Sequence, residues 1–376
     1  MRMILRRRHA VRLLAVAVAV AGSATHALAG DDDADSFRQG KLFMSTNAAG
    51  GNMLQIYQRT ANGPAALLTS VPAGGNGTGA GLGSQGSVTL STSGRYLFVV
   101  NAASNTVSTF KIGGKGLVLT STVSSGGTTP ISVAESDGLV YVLNAPGGGA
   151  GSGNVVAGFR NIGGMLTPLA DGVRALQNAS QPAQVAFDND GDALIVSEKA
   201  ATQLVSYSVS RNGTLSTSVG TTPSPGAVPF GFGITGRNVV VVSEAATSSA
   251  SSYTIGGKSE PLLRLVTPAL SNGQVAACWV AVTPNGKFAY TANAGASNVS
   301  AYGIDRNGAL TLLNAQAGFT SSNGALDMAV TPDGKQLHVF ASRTPQQIVS
   351  FTIAYDGSLA KIGTLNVTAG AGLAAN

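Results

Sequence analysis

Two glutamates, Glu198 and Glu244, each close an apolar run, and each stands where other copies of the same pattern carry Asn. A carboxylate so placed could act as a general base on water if burial raises its pKa; the alternative is a solvated turn residue. Asp327 is the one other acid that the pattern points towards the same end of the molecule. Glu135, Asp137, Asp188, Asp190, Asp192, Asp305, Asp333 and Asp356 fall in hairpin turns, and Asp171 and Glu260 in outer strands or loops. Histidine-based nucleophilic or zinc chemistry is hard to build. His9 and His26 lie in the N-terminal leader, and His338 sits inside an apolar run where a structural role is expected. The single cysteine, Cys278, has no histidine to activate it.

Around the acids stand groups that could hold a ligand. Lys199 directly follows Glu198, while Gln85, Gln184, Phe230, Trp279 and Asp327 enter short apolar segments that precede the repeated runs. Trp279, the only tryptophan, would either stack on a ligand or fill space between repeats. Gln184 or main-chain N–H groups could steady an oxyanion. Asn101 and Asn293 belong, with Asn47, Asn144, Glu198, Glu244 and Ser342, to one recurring position. Turn capping is the expected role of the Asn members, with Asn101 and Asn293 kept as ligand-binding candidates. Asp188-Asn189-Asp190-Gly191-Asp192 spaces oxygen ligands about a glycine, but no bidentate Glu follows to complete a calcium loop. No cofactor or metal is expected, a divalent cation such as calcium being the alternative.

The elements that must position these residues come from an internal repeat. Leu42–Tyr57, Tyr96–Phe110, Leu139–Phe159, Ala193–Tyr207, Asn238–Tyr253, Phe288–Tyr302 and Gln336–Phe351 share one form: an apolar run, a polar residue, a small-residue turn and a second apolar run ending in an aromatic. The recurring position returns every 49 residues or about that, inside the propeller range of roughly 40–50. A short apolar strand precedes each run. Asn62-Gly63, Asn212-Gly213, Asn307-Gly308 and Asp356-Gly357 follow as tight hairpins, leading to an outer strand. The fold class is therefore all-β: a seven-bladed β-propeller of four-stranded antiparallel blades, closed because a ring protects its strand edges. The first copy lacks an innermost strand, so Gly370–Asn376 is predicted to supply it and lock the ring, with Phe37–Gly40 as the competing closure.

The ends give an address. Arg2, Arg6, Arg7, Arg8 and Arg12 precede a nine-residue apolar run, Leu13–Ala21, and Ala27-Leu28-Ala29 fits signal peptidase. Residues 1–29 are expected to be a signal peptide, 30–40 an acidic flexible leader, and 41–376 a single propeller domain. The run is far shorter than the roughly 20 residues that span a bilayer, so the chain is expected to be exported, periplasmic or extracellular, without a membrane span. Five of the 23 basic residues leave with the signal, so 18 face 17 acids and the net charge falls to +1. No basic stripe remains for nucleic acid. A monomer with a small-molecule ligand is expected.

Pro284–Asn293 (PNGKFAYTAN) and Ser93–Asn101 (SGRYLFVVN), each followed by a Val-Ser third strand, resemble the seven-bladed lactonase-like propellers. That family includes 6-phosphogluconolactonase-type and carboxymuconate-lactonising enzymes, and the resemblance spans the chain after the leader. It implies a hydrolase acting on a lactone or related ester at the central channel. Residue by residue, the family's Pro-Arg-His matches Pro229-Phe230-Gly231, its Asn-Arg-Gly matches Asn293-Ala294-Gly295, and a histidine after proline matches Ala183 after Pro182. Only its Asn-Glu survives, as Ser243-Glu244. The missing arginines would have bound carboxylate or phosphate bidentately, so a neutral or weakly polar lactone is expected, with Glu244 or Glu198 as base. The alternative is a non-catalytic propeller that binds a small ligand or a protein partner.

Overall fold

The computed structural model describes residues 40–256, 262–320 and 324–376. The expected signal peptide, most of the acidic leader, Phe37 and Glu260 lie outside the described residues. Among those described, no helix is long and apolar enough to cross a membrane.

Seven four-stranded antiparallel sheets form the blades of a propeller. Six are built from consecutive strands. In the first, the chain's last strand, Ala371–Ala375, pairs antiparallel with Lys41–Ser45, Leu42 opposite Ala375 and Phe43 opposite Ala374. The C-terminal segment thus supplies the missing innermost strand, as the sequence predicts. Asn376 fastens it: Lys41 and Gly40 donate main-chain N–H groups to its side-chain and main-chain oxygens (2.8 and 3.2 Å), and Arg59 donates to its main-chain oxygen at 2.6 Å. Gly40, the last residue of the competing segment, therefore extends the same seam.

The blades pack through the apolar runs. The closing aromatics Tyr57, Phe110, Phe159, Tyr207, Tyr253, Tyr302 and Phe351 are all buried. Second strands such as Leu139–Asn144 and Val239–Glu244 are buried along their whole length, since a middle strand has a sheet on either side. Outer strands carry most of the exposed large apolar residues, including Leu67, Leu68 and Val118. Two recurrent inter-blade polar ties come from buried tyrosines: Tyr141 donates to Gly213 O at 2.6 Å, and Tyr290 to Gly357 O at 2.9 Å. Each joins a second strand to the hairpin of the next blade. The Gly-rich insertion in the third copy forms a 3-10 turn, Pro146–Gly149.

This topology gives the ring two unlike ends. Turns between second and third strands, and loops entering the innermost strands, open on one end, here the loop face. Hairpins joining first to second strands open on the other, the hairpin face.

Candidate functional site

Seven innermost strands line the central channel, and each presents main-chain groups with no strand beyond them. Two glutamines take the place of that missing neighbour, because a carboxamide carries both a donor and an acceptor. The side chain of Gln184 accepts from Phe232 N–H (2.7 Å) and donates to Phe232 O (2.9 Å). Gln85 does the same to Val280, at 2.9 and 2.7 Å. Both amides are therefore tied to the neighbouring innermost strands, Gln184 through its oxygen and one of its two N–H groups.

Gln85 belongs to a segment drawn into the channel. Lys199 Nζ donates to Gly83 O (2.7 Å), Trp279 Nε1 to Ser84 O (3.0 Å), Ser84 Oγ to Ile131 O (2.7 Å), and Gln85 N–H to Ala183 O (3.1 Å). Blades 3, 4 and 6 thus hold the entrance to blade 2 as a septum across the channel. Glycine permits the close approach at Gly231, where a Cβ would lie 2.1 Å from Gln85 Oε1.

The septum leaves a cavity on each side. The loop-face cavity, about 240 Å³, is lined by Leu82, Trp279, Leu326, Asp327, Phe340 and the main chain of Gly81–Ser84. The hairpin-face cavity, about 380 Å³, is lined by Gln85, Gln184, Glu135, Asp188 and again Asp327. No Lys, Arg or His lines either one.

Asp327 is thus the carboxylate that both cavities share. It lies on the innermost strand Ala325–Val330 of blade 7 and is 6% exposed. Its Oδ2 accepts from Gly372 N–H at 2.8 Å, across the seam where the C-terminal strand closes the ring. Burial pushes its carboxyl up to about 7, against a smaller opposing pull from the Gly372 bond. A carboxyl in that range exchanges a proton near neutral pH.

Lys199, Phe230 and Trp279 meet beside the septum. The Lys199 ammonium lies 5.0 Å from the Phe230 ring centre, and the Phe230 and Trp279 rings are 4.7 Å apart. Burial pulls Lys199 down to about 8 and pushes the Cys278 thiol up to about 12, so Cys278 is held as a thiol. Trp279 packs on Phe230 between blades 5 and 6 and also lines the loop-face cavity.

The recurring ring position is buried rather than open to the channel. Glu244 is fully buried, and its carboxylate accepts from Ser224 Oγ (2.9 Å), Gly226 N–H (3.0 Å), Ser249 Oγ (2.6 Å) and Ser251 Oγ (2.6 Å). Asn101 donates to Ser108 Oγ and Thr106 Oγ1, and Asn293 to Ser300 Oγ and Asn298 Oδ1. The partners recur five and seven residues on, which ties each second strand to its third. Glu198 keeps only the first partner, Gln203, which donates to Oε2 at 2.6 Å; its Oε1 is buried without one. Neither Glu198 nor Glu244 lines the two cavities.

The remaining candidates are placed as follows. Asp188 Oδ1 accepts from Ala193 N–H and Asp190 Oδ2 from Asn238 Nδ2, so the acidic run spends its oxygens on separate partners. Among the described residues, no group of three His, Cys, Asp or Glu side chains converges as a metal site. His338 is buried against Ser350 (2.9 Å), and burial drives its pKa down to about 3. The residues that sequence reasoning missed are Gly81–Ser84 and Gly372. A signal for the first was present: the interval from Pro72 to Val88 is far longer than the five-residue intervals entering most other blades.

A family described as Lactonase, 7-bladed beta-propeller matches residues 159–279 and 279–371. No curated protein sequence matches. Solved structures share the fold at low identity. A Bacteroides fragilis protein provisionally assigned as a 6-phosphogluconolactonase is 19% identical, with a TM-score of 0.68 over 90% of this chain and 98% of its own. The Pseudomonas aeruginosa periplasmic gluconolactonase is 16% identical, with a TM-score of 0.68 over 89% and 98%. A Desulfotomaculum acetoxidans protein of unknown function is 11% identical, with a TM-score of 0.67 over 89% and 98%.

Proposed function

Because this chain belongs to the seven-bladed β-propeller lactonase family, we propose that it is an exported hydrolase of an uncharged lactone or related ester, working in the loop-face cavity with Asp327 as its base. The observation that carries the reading is Asp327 itself: a buried carboxyl pushed up to about 7, on the wall of an apolar cavity. The base role passes to it from Glu244 and Glu198, whose carboxylates are enclosed within their blades.

In this reading Asp327 takes a proton from a water molecule whose oxygen attacks the lactone carbonyl carbon. Among the described residues the main-chain N–H groups of residues 81–84 make no hydrogen bond, which leaves them free to receive the developing oxyanion. The ring C–O bond then breaks, and the proton held by Asp327 passes to the departing alkoxide. Leu82, Trp279, Leu326 and Phe340 hold the ring, and Lys199 positions the loop through Gly83. A lining without Lys, Arg or His supports a neutral substrate over a sugar phosphate or a muconate. Export rests on the leader's composition and is compatible with the periplasmic gluconolactonase of similar fold.

The test is turnover on a panel of neutral and acidic lactones by wild type, Asp327→Asn, Glu244→Gln and Glu198→Gln. Asp327→Asn is expected to lose about 10²–10⁴-fold, and wild-type kcat/KM to rise with pH to a plateau above about 7. Full turnover by Asp327→Asn would remove Asp327 from the reaction. Saturable lactone binding with no turnover by wild type would favour the non-catalytic alternative.

A further inference from the structure

We propose that the hairpin-face cavity is a second binding site, one that takes a small organic cation of the primary ammonium class. Its volume of about 380 Å³ falls in the size range of small-ligand pockets. Its chemistry is one-sided. Asp327, Glu135 and Asp188 line it, while no basic side chain does. Several side-chain donors around it are engaged elsewhere: Gln85 Nε2 with Val280 O, one N–H of Gln184 with Phe232 O, and Thr89 Oγ1 with Val133 O at 2.8 Å. The charged groups of the lining are therefore all acidic, which favours a ligand that brings positive charge and donors.

A cluster of acids at a surface would carry little weight alone, since water and salt screen it. Asp327 differs. It is 6% exposed, and its only donor, Gly372 N–H, serves Oδ2; among the described residues Oδ1 takes none. Oδ1 is thus the donor-free oxygen of a carboxyl whose residue is largely buried, open to whatever group pairs with it. Glu135 is held at the rim by Thr92 N–H (2.7 Å), Thr92 Oγ1 (3.2 Å) and Gly138 N–H (2.8 Å), and Asp188 by Ala193 N–H (3.0 Å). Each has lone pairs to spare, because a carboxylate accepts about four bonds. Burial also pushes Asp188 upward, as it does Asp327. The septum separates this site from the loop-face cavity, with Asp327 as their common wall.

Isothermal titration of the purified protein with n-butylammonium chloride at pH 8 tests the site, with sodium butyrate and 1-butanol as anionic and neutral isosteres. Saturable one-to-one binding of butylammonium alone is expected. Glu135→Gln and Asp327→Asn should each weaken it by about tenfold, the worth of one charge-assisted hydrogen bond, and Asp356→Asn on an exposed hairpin should leave it unchanged. No saturable binding, equal binding of 1-butanol, or affinity unaltered by both Glu135→Gln and Asp327→Asn would each overturn the proposal. Heat of binding needs no lactone turnover, so failure here is distinguishable from failure of the hydrolase reading. Glu135→Gln keeps the test open should Asp327→Asn fold poorly.

Discussion

Glu244 and Asp327 are both more than nine-tenths buried, yet four donors meet the first and one meets the second. Burial of a carboxylate is costly in proportion to the solvation it loses, and donors restore that solvation. In blade 5 three hydroxyls and an N–H restore it, and Glu244 becomes a strut between the second and third strands. In the channel the only donor comes from the closing strand, and the acid form of Asp327 gains ground until its pKa stands at about 7. Glu198 lies between these cases. Its position in blade 4 matches that of Glu244, but Leu176 and Val205 stand where Ser224 and Ser251 serve Glu244, and one oxygen is left without a donor. Similar burial thus leaves Glu244 with four donors and Asp327 with a single one, on a cavity wall.

The sharpest way to break this contrast is to remove the strut. Glu244→Leu strands the Ser224, Ser249 and Ser251 hydroxyls in the blade, and a loss of about 3–5 kcal/mol is expected. Urea unfolding measures it, and a loss below about 1 kcal/mol would mean that the network is ornamental.

Next in size is the pH dependence of stability. The folded pKa of Asp327, about 7, lies above its unfolded value of 3.8, so its contribution is full below 3.8 and is given up as pH rises towards 7. The total is roughly 4 kcal/mol. His338 acts oppositely. Its folded pKa of about 3 lies below 6.5, so stability is full above 6.5 and falls with acid, by roughly 2 kcal/mol at pH 5. Denaturant unfolding from pH 4 to 9 should show Asp327→Asn losing the decline between 4 and 7 while the His338 limb remains. An unchanged decline would show that Asp327 is not the group titrating.

The smallest expected effect separates the two glutamates. Glu198→Gln keeps an oxygen for Gln203 and should change stability by less than about 1 kcal/mol. Glu244→Gln turns an NH₂ towards hydroxyl and N–H donors and should cost about 2 kcal/mol. Equal costs in parallel unfolding curves would erase the distinction drawn from their donor sets.

Much of the architecture was legible because each blade repeats a local grammar. Asn-Gly hairpins such as Asn212-Gly213 and Asn307-Gly308, alternating runs such as Val239–Glu244, and closing aromatics such as Tyr253 and Tyr302 are properties of neighbours in sequence. The missing first strand could be inferred from a count, and Ala371–Ala375 fills it. Glu198 and Glu244 looked alike for the same reason: a repeat aligns positions without showing what surrounds them. Gln85 and Gln184 read as channel polar groups, and their bonds to Val280 and Phe232 appear only when distant strands stand side by side.

The sequence by itself determined seven sheets, their order and the segment that closes them, because hairpin turns and strand alternation act over a few residues. Tertiary structure alone decided which carboxylate carries a near-neutral pKa. Glu244 draws its donors from its own blade and the loop leading into it, but Asp327 meets Gly372 only because the ring closes, with a septum from blade 2 standing across the channel. The protonation of a buried acid follows the donors that distant parts of the chain bring to it, and no local pattern records them.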